Sequence, residues 1–276
     1  MNAASLPYSL LILLVELAVG SLAMVAVFDG RRQVTAGYVK AGALTIVPLA
    51  VLAVWLDAVL GATAELDGYA LQPDWSSPLR VALVIFLVLA IAHLVAALLE
   101  RHRAAVVLAV AGSASGVIAL GLLAALIAAP TWSYALMLAS VLVGAGVLGA
   151  ALMAMMWGHW YLTSGRLPKE PMEQMALIVF AALVVQGVLV AAGTVLPARA
   201  VPLSEGFGVS LGQNPAYWLR VGVGLVFPAV LAVLAWRAAQ IRGMMSATGL
   251  LYIALGAVLA GEVLARGLLF STGLPV

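Results

Sequence analysis

The chain has 276 residues, of which 65% are hydrophobic and 9% charged. This composition excludes a water-soluble globular protein, because the core of a soluble protein of this length could not bury so many apolar residues. It contains no cysteine, which excludes disulfides, cysteine-ligated iron–sulfur clusters and thiol nucleophiles in this chain. The net charge of +2 does not indicate nucleic-acid binding, since membrane proteins collect lysine and arginine in their cytoplasmic loops.

Eight apolar stretches follow one another along the sequence, and each is long enough to cross a membrane, which takes about 20 helical residues. They lie near 8–28, 38–62, 80–99, 104–128, 132–157, 174–196, 216–236 and 246–270. The first is predicted to be a membrane helix and not a cleaved signal peptide, because no basic residue precedes it. We therefore predict an all-α, polytopic protein of the cell (inner) membrane, with one integral membrane domain over residues 1–276.

The basic residues predict which side of the membrane each helix end faces. With an outside N-terminus, nine of the thirteen lysines and arginines fall in inner loops and four fall on the outer side. Cytoplasmic loops are enriched in basic residues, so this distribution predicts both termini on the outer side. The two longest connections, about 63–79 and 197–217, then lie on the outer face, either as plain surface loops or as the docking site of a partner subunit.

Small residues recur inside the predicted helices, notably in the segments 112–116 and 144–146. Small side chains let helix backbones approach one another in lipid, so we predict that these glycines serve helix packing. We give Gly222-Val-Gly224 the same interpretation, because no strand precedes it and the remaining glycines of a nucleotide-binding fingerprint are missing.

Ionisable side chains inside the apolar stretches are the candidates for function, because each costs a few kcal/mol to place in lipid. By their positions along the helices, six of them share the outer leaflet: Glu16, Asp57, Arg80, Arg220, Glu262 and Arg266. Glu262 precedes Arg266 by four residues, so the two share a helix face and can pair. A lone carboxylate as deep as Glu16 is either neutral or has a cation beside it, which suits proton transfer. The six charges therefore predict either structural ion pairs or a site for a lipid-soluble quinol.

Two of the three histidines are candidates for a different chemistry. His93 and His159 each lie seven residues before the first charge that follows their helix, so their imidazoles should have similar depth near the inner face. Matched depth on two helices is what axial ligation of a haem b requires. The alternative is that His159 belongs to an aromatic anchor at the membrane interface, together with Trp157, Trp160 and Tyr161.

The stretch AGEVLARGLLF in the last predicted helix resembles the last helix of the membrane anchor subunits of dimethyl sulfoxide reductase-type enzymes, in the NrfD/polysulfide-reductase anchor group. In that helix a Gly-Glu pair is followed by an arginine and an aromatic-containing run, and the group also has eight helices. The resemblance implies an anchor without a cofactor of its own, an iron–sulfur partner on the outer face, and a quinol site in the outer half of the membrane. It extends to Gly261, Glu262 and Arg266, and approximately to Glu16.

The first functional hypothesis is therefore a quinone- or quinol-interacting membrane anchor subunit of a respiratory electron-transfer complex. Glu16, Glu262 and Arg266 would bind the quinol head group, assisted by Asp57 and Arg220. Electrons would pass between the quinone pool and an outer iron–sulfur or other redox subunit. We expect a subunit of an oxidoreductase complex and not an enzyme acting alone.

Two further hypotheses remain open. One is a b-type cytochrome whose haem is ligated by His93 and His159. The other is a transporter or an accessory scaffold subunit that uses the outer polar cluster, although no pair of Pro/Gly-broken helices marks a midplane transport site. The sequence predicts no metal-ligand cluster held by the chain itself.

Overall fold

Eight helical spans that are long and apolar enough to cross a membrane make up most of the part of the chain that the structure describes. They are seen in a computed structural model that describes residues 5–66, 69–128, 132–164, 167–195 and 211–276. The predicted number of spans is confirmed within these residues. This hydrophobic, almost entirely helical chain has the length and composition of a multi-pass membrane protein.

The helices are numbered in chain order. The first six are α1 (Leu6–Gly30), α2 (Ala36–Leu60), α3 (Ser76–Leu98), α4 (His102–Ile127), α5 (Trp132–Ser164) and α6 (Glu170–Val195). The seventh span consists of α7 (Pro215–Val221), a π-helical turn (Gly222–Val226) and α8 (Phe227–Gln240), and the eighth is α9 (Met244–Thr272). The minor elements are the strands β1 (Glu65–Leu66) and β2 (Tyr69–Ala70) and the 3₁₀ turns Pro73–Trp75 and Leu211–Gln213.

Several helix ends, including those of α5 and α6, lie four or more residues beyond the predicted ones, because helical hydrogen bonding does not stop where hydrophobicity falls. α5 runs seven residues past its predicted end, and the Thr163 hydroxyl near that end donates to the backbone oxygens of His159 and Trp160. α6 begins at Glu170, four residues before the predicted start. Its second residue is Pro171, which is tolerated because the first N–H groups of a helix have no helical partner.

Three helices, α1, α5 and α9, form the interior of the bundle, since their spans are the most buried ones. α1 packs against α2, α4, α5 and α9, and α5 also packs against α6 and α9. The peripheral helices expose apolar side chains on the outside, among them Val59, Val107 and Val188. An apolar exterior around a packed interior is what a bundle surrounded by lipid requires.

Gly20 of α1 and Gly149 of α5 mark a very close contact between the two helices. A Cβ atom at Gly149 would lie 2.5 Å from the Gly20 Cα, so the backbones would have to separate. The packing role predicted for the other glycines is confirmed where a Cβ would meet a neighbour, at Gly112, Gly116, Gly144 and Gly224. It is wrong at Gly146 and Gly222, where a Cβ would meet open space.

The connection between α2 and α3 packs against the ends of other helices. Its antiparallel strands β1 and β2 are followed by a backbone hydrogen bond from Gln72 N–H to the Leu126 oxygen, 2.8 Å long. The Tyr69 hydroxyl donates to the Ile127 oxygen at 3.0 Å, and its ring meets Phe270 edge-on. The connection 63–79, predicted as either a plain surface loop or a docking site, thus contacts its own bundle through Tyr69 and Gln72. In the other long connection, residues 197–210 lie outside the described residues.

Trp157 lies in the protein interior, so the prediction that it anchors a helix end at the headgroups is wrong. Its side chain is fully buried and meets the ring of Tyr38 edge-on, with ring centroids 5.2 Å apart. The Tyr38 hydroxyl donates to the Met153 oxygen at 3.0 Å. Because α5 continues to Ser164, Trp157 lies about two turns before the helix end.

Candidate functional site

Four charged side chains from three helices meet in the interior of the bundle: Glu16 of α1, Arg220 of α7, and Glu262 and Arg266 of α9. We call these four residues the charged cluster. Each is at most 2% exposed to solvent. Two carboxylates and two guanidiniums leave the cluster with no net formal charge, and such pairing is what permits charges to be buried in an apolar interior.

Glu262 lies at the centre of the charged cluster because both arginines bind it. Arg220 Nη2 lies 3.1 Å from its Oε1 atom, and Arg266 Nη2 lies 3.2 Å from its Oε2 atom. The second contact is the pair expected from residues four apart on one helix. The side-chain amide of Gln186, from α6, also donates to Glu262 Oε1. Both oxygens of Glu262 are thus occupied.

Glu16 is bound through only one of its two oxygens. Its Oε1 atom accepts a hydrogen bond from Arg266 Nη2. Its Oε2 atom is buried and has no hydrogen-bond partner among the described residues. Arg266 also donates from Nη1 to the Ser140 hydroxyl at 3.3 Å. Glu16 is therefore the carboxylate of the cluster with a free acceptor oxygen.

Other polar atoms of this region are buried without a partner in the part of the chain that the structure describes. They are Gln186 Oε1, Arg220 Nε, Arg220 Nη1 and Arg266 Nε. An unsatisfied buried polar group costs roughly 1–3 kcal/mol, and most such groups in proteins are paired. With Glu16 Oε2 included, these atoms are two acceptors and three donors, and they are concentrated around the charged cluster. This arrangement can bind a small molecule that both donates and accepts hydrogen bonds.

Three glycines make room for the cluster. A Cβ atom at Gly144 of α5 would lie 2.8 Å from Glu16 Oε1 and 3.0 Å from Arg266 Nη2. Gly224 and Gly261 bring the π-helical turn and α9 into backbone contact. A Cβ atom at Gly261 would overlap the Gly224 Cα and lie 3.0 Å from Arg220 Nη1. The Gly-Glu pair of α9 thus combines a close helix contact with the central carboxylate.

We expect Gly261→Ala to destabilise the protein by about 1–3 kcal/mol, the usual cost of overpacking a tightly packed interior. The added methyl group would push α9 away from the π-helical turn and displace Arg220 from Glu262. Thermal unfolding of the purified chain in detergent measures the effect. Gly256→Ala is the control on the same helix, because its Cβ would meet open space. Equal unfolding midpoints for the two variants would contradict this prediction.

The local sequence explains why Arg220 is held near the start of the seventh span. The Asn214 side chain accepts a hydrogen bond from the Ala216 N–H at 3.0 Å and caps α7, and Pro215 is its first residue. The helix changes to a π-helical turn two residues after Arg220. Such turns are rare and occur frequently at functional sites.

Asp57 and Arg80 form a separate ion pair between α2 and α3. Arg80 Nε donates to Asp57 Oδ2 at 2.8 Å, and Arg80 Nη2 donates to the Asp57 backbone oxygen at 3.2 Å. The Arg80 side chain is 45% exposed, in contrast to the arginines of the charged cluster. Among the described residues, no ion pair joins Asp57 or Arg80 to the cluster. Their geometry is that of a structural ion pair, which was one of the two alternatives that the sequence predicted for these charges.

His93 and His159 bond to different helices. His93 is buried on α3, and its Nδ1 atom lies 2.9 Å from the Ala105 oxygen of α4. His159 is exposed on α5, and its Nδ1 atom lies 3.3 Å from the Tyr252 hydroxyl of α9. His93 Nε2 is buried and has no partner within the described ranges. Joint ligation of a haem by the two rings remains a prediction.

A second polar group lies at the far end of α1 and was not predicted. Asp29 is buried, and its Oδ1 atom lies 3.3 Å from His102 Nδ1 at the start of α4. Nearby in sequence, Glu100 accepts a hydrogen bond from Lys40 at 2.8 Å, which lowers the pKa of its carboxyl. The sequence analysis missed Asp29 because the first apolar stretch was ended at residue 28.

Gln186 is the member of the site that the sequence analysis missed. It is the only strongly polar side chain between Ala176 and Gly193. An amide inside an apolar span usually bonds to a neighbouring helix, so this isolation was the available indication. The polar contact with Glu262 fulfils that expectation.

No family model, curated protein or solved structure matches this chain. The resemblance of the last helix to the NrfD/polysulfide-reductase anchors therefore remains a prediction.

Proposed function

We propose that the protein is a quinone- or quinol-interacting membrane anchor subunit of a respiratory electron-transfer complex, with its head-group site at the charged cluster. The observation that carries the proposal is a buried, charge-balanced set of carboxylates and guanidiniums that retains free hydrogen-bond acceptors and donors. A quinol donates through its two hydroxyl groups, and a quinone accepts through its two carbonyl oxygens. Both redox states would therefore find complementary partners at one site.

Four residues of the site have distinct proposed roles. Glu16 receives a hydroxyl proton of the quinol, because its Oε2 atom is the free carboxylate oxygen. Gln186 accepts a hydrogen bond from the quinol through Oε1, and Arg220 donates to a quinone oxygen. Glu262 is a positioning residue, since both of its oxygens already bind Arg220, Arg266 and Gln186.

Oxidation of a quinol releases two electrons and two protons, and Glu16 would accept the two protons one after the other and pass each to the outer aqueous phase. The electrons would leave through an iron–sulfur or other redox subunit, because this chain has no cysteine with which to ligate a cluster. We place that partner on the outer face and both termini on the outer side of the bacterial inner membrane. The distribution of basic residues and the resemblance of the last helix support this placement.

Binding of a decyl-substituted benzoquinol to the purified chain tests the proposal. We expect Glu16→Gln to weaken binding about tenfold or more, because a hydrogen bond to a charged group contributes roughly 1.5–3 kcal/mol and 1.4 kcal/mol corresponds to tenfold. Asp57 was expected to assist binding, but it pairs with Arg80 outside the cluster and is not part of the proposed site, so Asp57→Asn is the matched control. Absence of saturable binding by the unmodified chain, or equal losses in both variants, would contradict the proposal.

A b-type cytochrome is the second candidate. The observation that favours it is the buried Nε2 atom of His93, which has no partner among the residues that the structure describes. An imidazole nitrogen of this kind is available as a haem ligand. The optical spectrum of the natively purified protein tests this function. A Soret band that is lost in His93→Ala and in His159→Ala would support it, and a spectrum without a Soret band would eliminate it.

A further inference from the structure

An apolar groove of about 290 Å³ lies between α6 and the seventh span. On the α6 side it is lined by residues that include Leu183, Gly187 and Val190. On the other side, Val221 and Leu225 are among the lining residues, so the groove follows the π-helical turn. Its lining matches an apolar ligand and offers almost no hydrogen-bonding groups.

The groove runs from the outside of the bundle towards its interior. Val184 and Val226, on its outer side, are 48% and 57% exposed. Leu183 and Leu225, on its inner side, are 2% and 6% exposed. Because the outside of this bundle is apolar, a ligand dissolved in lipid can enter the groove without crossing water.

Each wall of the groove has a buried polar residue next to its lining residues, Gln186 on α6 and Arg220 on the seventh span. On α6, Gln186 directly precedes Gly187 and lies one turn before Val190, so it borders the face that lines the groove. On the seventh span, Arg220 directly precedes the lining residue Val221. Gln186 and Arg220 are at least nine-tenths buried, and each has a polar atom without a partner among the described residues. Each wall of the groove is thus continued inwards by a polar side chain with unused hydrogen-bonding capacity.

We propose that this groove holds the apolar chain of the quinol whose head group lies at the charged cluster. The identity of the head group rests on the proposed function. A groove of this size lies near the lower limit of ligand pockets, about 300 Å³, which suits part of a chain better than a whole long-chain quinol. A phospholipid is a poorer match, because its charged head group belongs at the membrane surface whereas the polar groups here lie at the buried edge.

Gly187 allows the groove to be filled selectively. A Cβ atom at this position would meet no atom within 4 Å. Gly187→Leu should therefore occupy the groove without displacing the helices, and Gly187→Ala is a smaller change that should give an intermediate effect. Gly256 of α9 has equally open surroundings and does not line the groove, so Gly256→Leu is the matched control.

The test compares the binding of two probes to the full-length chain in detergent, a decyl-substituted benzoquinol and the same benzoquinol without the decyl chain. We expect Gly187→Leu to weaken binding of the decyl compound about tenfold and to leave binding of the chain-free compound unchanged. Gly256→Leu should change neither affinity. Thermal unfolding of each variant shows whether the fold is retained.

Several results would overturn the assignment. An unchanged affinity of Gly187→Leu for the decyl compound would overturn it. If Glu16→Gln still had a lower affinity for both probes, the proposed head-group site would nevertheless stand. If Gly187→Leu lowered the affinity for both probes equally, the groove would hold the head group and not the apolar chain. If Gly187→Leu lost a co-purified phospholipid but kept its affinity for the decyl compound, the groove would be a lipid site. Failure of the unmodified chain to bind either probe would overturn the groove assignment together with the proposed function.

Discussion

Arg266→Met is expected to destabilise the protein by about 3–5 kcal/mol, because removing one partner of a buried ion pair leaves an uncompensated charge. Arg266 binds both carboxylates of the charged cluster, and it is almost completely buried. Its loss would leave Glu16 without an ion-pair partner and Glu262 with Arg220 alone. The thermal unfolding midpoint of the purified chain in detergent measures the loss. Arg80→Met should cost less, because the Arg80 side chain is 45% exposed.

The double variant Glu16→Gln with Arg266→Met should recover most of this stability. It removes one negative and one positive charge, and it leaves the Arg220–Glu262 pair at 3.1 Å. The interaction energy follows from the cycle that compares the unmodified chain, the two single variants and the double variant. If the stability lost in the double variant equalled the sum of the losses in the two single variants, charge balance would not explain why these four residues can be buried together.

Glu16→Gln is expected to lower quinol-dependent turnover of the native complex by about 10²–10⁴-fold, which is the usual contribution of a general acid or base. Glutamine has the size of glutamate and can still accept a hydrogen bond from Arg266, but it cannot take up a proton. Turnover should therefore fall by a larger factor than quinol affinity. The measurement uses membranes that contain the assembled complex, with its amount determined separately.

Asp57→Asn is the control for turnover, as it removes a carboxylate from the Asp57–Arg80 pair and leaves the charged cluster intact. We expect this variant to keep the turnover of the unmodified complex. If Glu16→Gln kept full turnover as well, Glu16 would not be the proton acceptor. If both variants lost turnover equally, the loss would reflect helix packing in general.

The pairing of Glu262 with Arg266 was predictable, whereas the remaining contacts of the cluster were not. Residues four apart share a helix face, and this local rule is enough for the first pair. Glu16 and Arg266 are separated by 250 positions, and their contact depends on how α1 and α9 pack. Depth along the helices placed six charges in one layer but did not determine their partners. Arg220 joins Glu262 in the structure, while Asp57 pairs with Arg80.

The sequence also failed to predict which side of each helix faces the interior. A helix in a membrane is apolar on all faces, so hydrophobic periodicity does not separate the faces that contact lipid from those that contact protein. Trp157 was named in the alternative of an aromatic anchor at the membrane interface, but it lies in the interior. Gly144 and Gly261 were noted in the sequence, but their contacts with Glu16 and Arg220 depend on the tertiary structure.

Infrared difference spectroscopy of the purified chain tests the central claim most directly, with a decyl-substituted benzoquinone switched electrochemically between its quinone and quinol forms. We predict a carboxyl C=O band that changes between the two forms, disappears in Glu16→Gln and persists in Asp57→Asn. A difference spectrum without a carboxyl band, or one whose carboxyl band survives in Glu16→Gln, would contradict a quinol site at the charged cluster.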